Sequence, residues 1–177
     1  MSKKKLLVVV DYQNDFVNGS LGFKKAEELE DSICAKIDVA HANGTDIVFT
    51  MDTHSENYLY TQEGAKLPVP HCVTGTQGWE LYGKVKVLAE GYPMLLKNTF
   101  GCKVLFDYLL KAPTYDEIEL VGLVSDICVI SNAVMAKTAQ PEALIVVDAD
   151  CTACADPEQN KKALDILEGL QVEVLNR

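Results

Sequence analysis

The sequence predicts an α/β fold in which a six-stranded, mostly parallel sheet forms the middle of three layers, with helices on both faces. Short apolar runs alternate along the chain with amphipathic segments, as expected when helices cross over between parallel strands. The first run, residues 6–10, is continuously apolar and rich in valine, which is typical of a strand buried on both faces. At 177 residues, without repeats or linker-like stretches, the chain is expected to form one domain, 1–177.

Five further apolar runs are predicted to be strands because each is short and is followed by polar or turn-forming residues. In chain order they cover 47–51, 94–96, 118–121, 143–147 and 172–174. In parallel sheets of this kind, ligands bind beyond the carboxyl ends of the strands. The residues that directly follow each run are therefore the first place to look for chemistry.

Helices are predicted between the strands from the spacing of apolar residues. In the first, 27–43, Leu29, Ile33 and Ile37 share one face, and Asn43 is followed by a glycine that ends the helix. A last helix begins where Asp156 precedes a proline at the first helical position. The remaining predicted helices cover 79–90, 104–111 and 127–139.

The charge balance excludes several classes of function. Sixteen basic and 26 acidic residues leave a net charge of −10, whereas nucleic-acid and anionic-lipid binding both require a basic surface. No stretch approaches the ~20 apolar residues of a membrane span. The lysines at 3–5 precede only five apolar residues, fewer than the ~7–15 of a secretion signal. We expect a cytoplasmic protein with no nucleic-acid or membrane partner.

Six cysteines are present, and a reducing compartment favours packed thiols over disulfides. Cys151 and Cys154 form a C-x-x-C pair, which is a weak indication of redox chemistry or of half a zinc site. Packing is the preferred interpretation for both, because no second such pair follows. There is no glycine-rich dinucleotide or nucleotide loop after any predicted strand.

Reactive side chains do follow four of the strands. Asp11 follows the first, Asp52 and His54 the second, Lys97 the third, and Cys128 a short turn after the fourth. At the start of a helix, Cys128 is expected to have a depressed thiol pKa, with Asp11 as proton acceptor and Lys97 favouring the thiolate. On position alone, a packed core thiol is the preferred interpretation of Cys128, and the nucleophile is the alternative.

Asp52 and His54 alternate along extended chain, and His71 follows in the next loop. One carboxylate and two imidazoles are a common ligand set for a divalent transition metal with open positions. On spacing alone, histidines that cap a loop are the alternative.

Together these residues resemble the cysteine hydrolase superfamily that includes nicotinamidases and isochorismatases. The resemblance covers nearly the whole chain, in order. It rests on the segments D-Y-Q-N-D-F at 11–16, D-T-H at 52–54, H-C at 71–72, G-T-Q-G at 75–78, K-N-T-F at 97–100 and G-L-V-S-D-I-C-V at 122–129.

The resemblance implies a six-stranded, largely parallel sheet and a triad of Asp11, Lys97 and Cys128. It implies an oxyanion hole from the backbone amides of Val124 and Cys128, and a non-proline cis peptide between Val124 and Ser125. It implies a divalent metal, zinc first with iron or manganese as alternatives, on three ligands: Asp52, His54 and His71. This histidine pair favours the nicotinamidase-like branch, because isochorismatases generally lack it.

The resemblance also assigns Phe16 and Gln13 to substrate binding. Nicotinamidases usually carry an aromatic residue, often tryptophan, shortly before the second histidine, whereas this chain has L-P-V-P at 67–70. Tyr58, Tyr60 and Trp79 are the candidates to replace it.

The expected function is that of an enzyme acting on C–N amide bonds. It would hydrolyse a small, nicotinamide-like carboxamide to the acid and ammonia, with the assistance of a metal and through a thioester. The alternatives are a related hydrolase for an N-carbamoyl amide or a vinyl ether, and a catalytically silent metal- or partner-binding relative. The acidic charge favours a neutral substrate, and the resemblance implies a homo-oligomer.

Overall fold

A computed structural model describes residues 3–177 and contains the expected six-stranded sheet with helices on both faces. The strand order is β3-β2-β1-β4-β5-β6, and all five pairings are parallel. The strands are β1 (Lys5–Val10), β2 (Asp46–Asp52), β3 (Met94–Lys97), β4 (Glu117–Leu123), β5 (Leu144–Ala153) and β6 (Glu173–Leu175).

Between residues 3 and 177, eight α-helices connect the strands: α1 (Asn14–Val17), α2 (Lys24–Glu28), α3 (Glu30–Ala42), α4 (Gln62–Lys66), α5 (Gly83–Leu88), α6 (Lys103–Lys111), α7 (Ile130–Ala139) and α8 (Pro157–Gly169). Two 3₁₀ turns (Tyr58–Tyr60 and Gln77–Trp79) and one π-helical turn (Ser125–Val129) complete the chain. Within the described residues, none of these helices is long and apolar enough to cross a membrane.

The core has one apolar cluster on each face of the sheet, and β1 contributes to both. Leu7 and Val9 pack with α3 and α5, whereas Leu6 and Val8 pack on the opposite face with α6, α7 and α8. The prediction that the first strand is buried on both faces is confirmed.

Three predicted helices differ from the structure near their first residues. The helix predicted at 27–43 breaks at Leu29 into α2 and α3. The one predicted at 79–90 shrinks to α5, because Leu81 forms a β-bridge with Gln13 and is therefore extended. The one predicted at 127–139 begins as the π-helical turn before α7.

The parallel sheet brings the carboxyl ends of β1, β2, β3 and β4 to one edge, because β1 lies between β2 and β4 and β3 lies beside β2. Lys97, at the end of β3, is in register with Asp52 at the end of β2. The side chains predicted to follow these four strands therefore meet at a single place.

Candidate active site

Asp11 is fully buried directly after β1, in a left-handed backbone conformation with φ of 45°. The hydroxyl of Thr50 donates to its Oδ1 at 2.7 Å, and Lys97 Nζ lies 2.7 Å from its Oδ2. Burial raises the pKa of the Asp11 carboxyl, while the Lys97 ammonium acts in the opposite direction. Asp11 is thus a carboxylate held in place by one neutral and one charged partner.

Lys97 connects the acid to the thiol. Its buried Nζ donates to Asp52 Oδ1 at 3.1 Å and lies 3.5 Å from Cys128 Sγ. Burial alone would lower the Lys97 pKa, but Asp11, Cys128 and Asp52 together raise it well above its usual value. The ammonium is therefore the fixed positive charge beneath the site.

Cys128 is buried in the π-helical turn, and Asn132 Nδ2 donates to its carbonyl oxygen at 2.8 Å. Burial first, and the charge of Asp11 second, raise the thiol pKa well above its ordinary value. The expected depressed thiol pKa is therefore wrong, because desolvation outweighs the helix terminus and Lys97. The resting thiol is neutral, so attack would require a base.

The non-proline cis peptide lies between Leu123 and Val124, one bond before the expected position between Val124 and Ser125. Val124 is itself extended, and its carbonyl already accepts from Ile127 N and Val129 N. The π-helical turn thus begins at Ser125, after the cis peptide bond. Val124 and Cys128 both line the adjoining cavity.

Asp52, His54 and His71 meet as a cluster, and Glu63 joins them. Asp52 Oδ2 lies 3.0 Å from His54 Nε2 and 3.3 Å from His71 Nε2. Glu63 Oε1 lies 3.7 Å from both of these nitrogens. One donor atom from each of the four residues lies within 4.8 Å of the others, close enough to surround one ion.

The surroundings of this cluster suit a divalent metal. His71 Nδ1 lies 2.9 Å from the carbonyl oxygen of Val69, a contact that places a proton on Nδ1 and leaves the Nε2 lone pair free. Burial would raise the Asp52 pKa, but hydrogen bonds with both histidines and the charge of Lys97 lower it, so an anionic oxygen is available. The donor set of nitrogen and carboxylate oxygen fits Zn²⁺, Fe²⁺ or Mn²⁺.

Glu63 was not predicted from the sequence. It lies in the first turn of α4, which Thr61 caps by accepting from Gly64 N. The available signal was an acid eight positions before His71 in a T-x-E segment that resembles a helix start. That signal indicates a helix but gives no indication of where its acid points.

A cavity of about 290 Å³ opens above Cys128 and His71. Phe16, expected to bind substrate, lines this cavity, whereas Gln13 is fully buried and does not line it. Its lining is largely apolar and comprises Phe16, Leu21, Phe23, Asp52, Glu63, Leu67, His71, Phe100, Val124, Asp126, Ile127, Cys128, Cys154, Ala155 and Asp156.

The three candidate replacements for the aromatic wall lie elsewhere. Tyr58 packs its ring against His54 and His71 with its hydroxyl bonded to a main-chain oxygen, Tyr60 is exposed, and Trp79 Nε1 donates to Thr53. The aromatic lining beyond Phe16 instead comes from Phe100, the last residue of the K-N-T-F segment, and from Phe23, which belongs to none of the motifs.

Comparison with known proteins agrees with this geometry. A family model described as the isochorismatase domain matches residues 5–177. The chain belongs to the isochorismatase family. Its resemblance to the nicotinamidase-like branch of the cysteine hydrolases is confirmed by its relatives in sequence and structure.

Relatives and solved structures of the isochorismatase family match the chain over nearly its full length. It is 27% identical to a nicotinamidase of Saccharomyces cerevisiae, over 98% of this chain and 100% of the relative. A crystal structure of a Bacillus subtilis nicotinamidase superposes with a TM-score of 0.84 at 28% identity, covering 98% and 99% of the two chains. A Pyrococcus horikoshii pyrazinamidase in complex with zinc superposes with a TM-score of 0.86 at 23% identity. The match covers 98% of this chain and 99% of the pyrazinamidase, and it shows that the two share a fold.

The C-x-x-C cysteines of this isochorismatase-family chain do not act as a pair of surface thiols. Both are free and buried, and Cys151 belongs to the apolar core. Cys154 is at the cavity wall, where its Sγ donates to the carbonyl oxygen of Asp156. The packing interpretation fits Cys151 fully and Cys154 in part.

Proposed function

We propose that this isochorismatase-family protein is a metal-assisted cysteine amidohydrolase that converts a small carboxamide, such as nicotinamide, to the carboxylic acid and ammonia. Its family relatives make it a hydrolase of amide C–N bonds. The observation that carries the proposal is the position of Lys97 Nζ, 2.7 Å from Asp11 and 3.5 Å from Cys128 Sγ, below a cavity bordered by three of the four side chains that could hold a metal.

In the first step, Asp11 takes the thiol proton of Cys128 as the sulfur attacks the carboxamide carbon. The base is needed because burial keeps the resting thiol neutral. Lys97 neutralises the negative charge that moves between carboxylate and sulfur. The backbone N–H groups of Val124 and Cys128 stabilise the tetrahedral oxyanion, where one such donor contributes about 3 kcal/mol in other enzymes.

In the second step, the oxyanion collapses and the C–N bond breaks. Asp11 gives its proton to the departing nitrogen, so that ammonia leaves and a thioester on Cys128 remains. Asp11 then takes a proton from a water molecule that attacks the thioester carbonyl. When the C–S bond breaks, that proton returns to sulfur, which restores the neutral thiol and releases the acid.

We propose that Asp52, His54 and His71, with Glu63 as a fourth group, hold the metal. When bound, a divalent ion would act as a Lewis acid that binds and orients an electron-pair donor of the substrate, such as a ring nitrogen. Zinc is the first candidate, supported by the zinc complex of the Pyrococcus pyrazinamidase. Iron and manganese suit the same ligands.

The cavity supports a small aromatic substrate. Phe16, Phe23 and Phe100 offer ring faces and edges, and Leu67 stands near the position where nicotinamidases usually carry tryptophan. Aromatic contacts of this kind favour a planar ring over a flexible chain of similar size.

Ammonia release from nicotinamide by the purified protein tests the proposal. Cys128→Ala should abolish turnover while circular dichroism and metal content stay as in the wild type. Cys34→Ala is the matched control, because Cys34 is a buried thiol on α3 away from the cavity. Full ammonia release by the Cys128→Ala variant would refute the mechanism.

A further inference from the structure

Asp126 is a charged residue in the site that the proposed reaction does not use. It lies two positions before Cys128, in the first turn of the π-helical segment, and it lines the cavity. Its Oδ1 is buried and has no hydrogen-bond partner in residues 3–177. Buried polar atoms are nearly always paired, so an unpaired carboxylate oxygen at the cavity wall needs an explanation.

The other acids of the cavity already have partners. Asp52 contacts Lys97 and two histidines, and Glu63 faces the same histidines. Asp156 is exposed, and its Oδ1 accepts from Glu158 N as the cap of α8. Asp126 therefore differs from the other cavity acids of residues 3–177: its Oδ1 accepts no hydrogen bond, and the nearby Cys154 thiol is at most a weak donor to this carboxylate.

Positive charge is missing from the cavity wall. Among the described lining residues there are four acids and no lysine or arginine. Lys97 lies beneath the floor and is shared by Asp11 and Asp52. A negative group that enters the cavity would thus be repelled by Asp126, with no positive charge on the cavity wall to offset the repulsion. An N–H donor or a cation would instead supply the missing partner of Asp126.

We propose that Asp126 is a specificity-determining residue that selects substrates by charge. It accepts from an N–H group, or pairs with a cationic substituent, on the part of the carboxamide substrate away from the reacting carbon. The substrate class is then neutral and cationic carboxamides, and amides that carry a carboxylate, such as N-carbamoyl amino acids, are excluded. This inference rests on the proposed amidohydrolase function.

The segment in which Asp126 lies explains why a charged residue is tolerated there. The first turn of a helical segment favours a negative side chain through its free N–H groups and dipole. One oxygen of this side chain is withdrawn from water. Such an under-solvated charge interacts more strongly with a substrate than an exposed one does.

Three carboxamides on one pyridine ring test the inference: nicotinamide, an aminomethyl-substituted nicotinamide and a carboxy-substituted nicotinamide. The wild type should hydrolyse the cationic amide with kcat/KM at least about tenfold above that of the anionic amide. Asp126→Asn keeps the shape and removes the charge, so it should reduce that ratio by about tenfold. Asp156→Asn, an exposed acid of the same cavity, should reduce it far less.

Binding supplies a second readout that does not depend on turnover. In a Cys128→Ala background, calorimetric Kd values for the three amides should show the same order, and adding Asp126→Asn should bring the cationic and anionic values together. An equal loss for all three amides would indicate a purely structural role and overturn the inference.

The outcomes separate this inference from the proposed function. If the protein releases ammonia from nicotinamide but prefers the anionic amide, or if Asp126→Asn leaves the ratio unchanged, the inference is wrong and the function stands. If none of the three amides is bound or hydrolysed, both fail. Should Asp126→Asn not fold, Asp126→Ser measured on the same three amides decides, and an unchanged ratio in that variant overturns the inference.

Discussion

The side-chain amide of Gln13 pairs with the main chain of Asp52 at both of its ends. Gln13 Nε2 donates to the carbonyl oxygen of Asp52 at 2.8 Å, and Asp52 N–H donates to Gln13 Oε1 at 2.8 Å. Gln13 Nε2 also donates to the carbonyl oxygen of Trp79 at 2.7 Å. The loop that carries Asp11 is thereby joined to the strand end that carries Asp52 of the candidate metal site, and we propose a positioning role for Gln13 in place of the expected substrate contact.

Gln13→Ala should weaken metal binding by about 10–100-fold, as loss of a supporting hydrogen bond does at other metal sites. The reason is that the Asp52 backbone loses both partners and its carboxylate is no longer held toward the histidines. Competition with a chromogenic zinc chelator measures the change. Gln140→Ala is the matched control, since Gln140 is a buried amide that bonds to main chain at Tyr115 and Leu109. Equal metal loss in both variants would contradict the positioning role.

Glu63→Gln should lower zinc affinity, because it removes the negative charge of a group 3.7 Å from both histidine Nε2 atoms. We expect a smaller loss than from His71→Ala, since Glu63 is only partly buried and lies farther from the centre of the cluster. Elemental analysis after dialysis against graded chelator measures both. Glu56→Gln, an exposed acid of the same loop, is the control and should retain wild-type zinc.

Lys97→Met should destabilise the fold by about 3–5 kcal/mol, because it leaves buried Asp11 and Asp52 without their cation. It should also abolish ammonia release. In a double-mutant cycle, Lys97→Met with Asp11→Asn should be more stable than Lys97→Met alone, since the uncompensated charge is gone. Urea denaturation measures the free energies of unfolding, and simple additivity of the two changes would show that the pair is not coupled.

Acid should weaken the ion pair between Lys36 and Asp148, which does not belong to the cavity. Burial would raise the Asp148 pKa, but hydrogen bonds from Lys36 and Asn176 outweigh it and hold that pKa below its ordinary value. A lowered folded-state pKa gives stability that is present above the unfolded pKa and lost as the pH falls through the folded one. Asp148→Asn should therefore cost about 1–3 kcal/mol at pH 7 and progressively less in acid.

Unfolding curves of wild type and Asp148→Asn between pH 2 and pH 7 check this dependence. Asp31→Asn is the control, because Asp31 pairs with Lys84 on the exposed surface and should change stability little at any pH. A stability difference between wild type and Asp148→Asn that grows on acidification would contradict a lowered pKa for Asp148.

Much of the site could be predicted because it depends on strand ends. Asp11, Asp52, Lys97 and Cys128 each follow a recognisable apolar run, and a parallel sheet brings such ends to one edge whatever the loops do. The family motifs then indicated which carboxylate and which histidines belong together.

The missed features depend on packing between distant segments. Glu63, Phe23 and Phe100 come from short helices and loops whose direction is set by tertiary contacts, and no local spacing reveals which side chains enter the cavity. The predicted thiol pKa of Cys128 was wrong for a related reason. Local position indicates the helix terminus, whereas the dominant effect is complete burial.

Lys97 has a consequence for any attempt to redesign this protein. One ammonium touches the carboxylate beside the thiol and the carboxylate of the metal cluster, so the two halves of the site share a single counter-ion. A substitution that alters the net charge on either half changes the electrostatic environment of the other. Substrate range therefore has to be engineered by charge-conserving pairs of substitutions, with both halves treated as one unit.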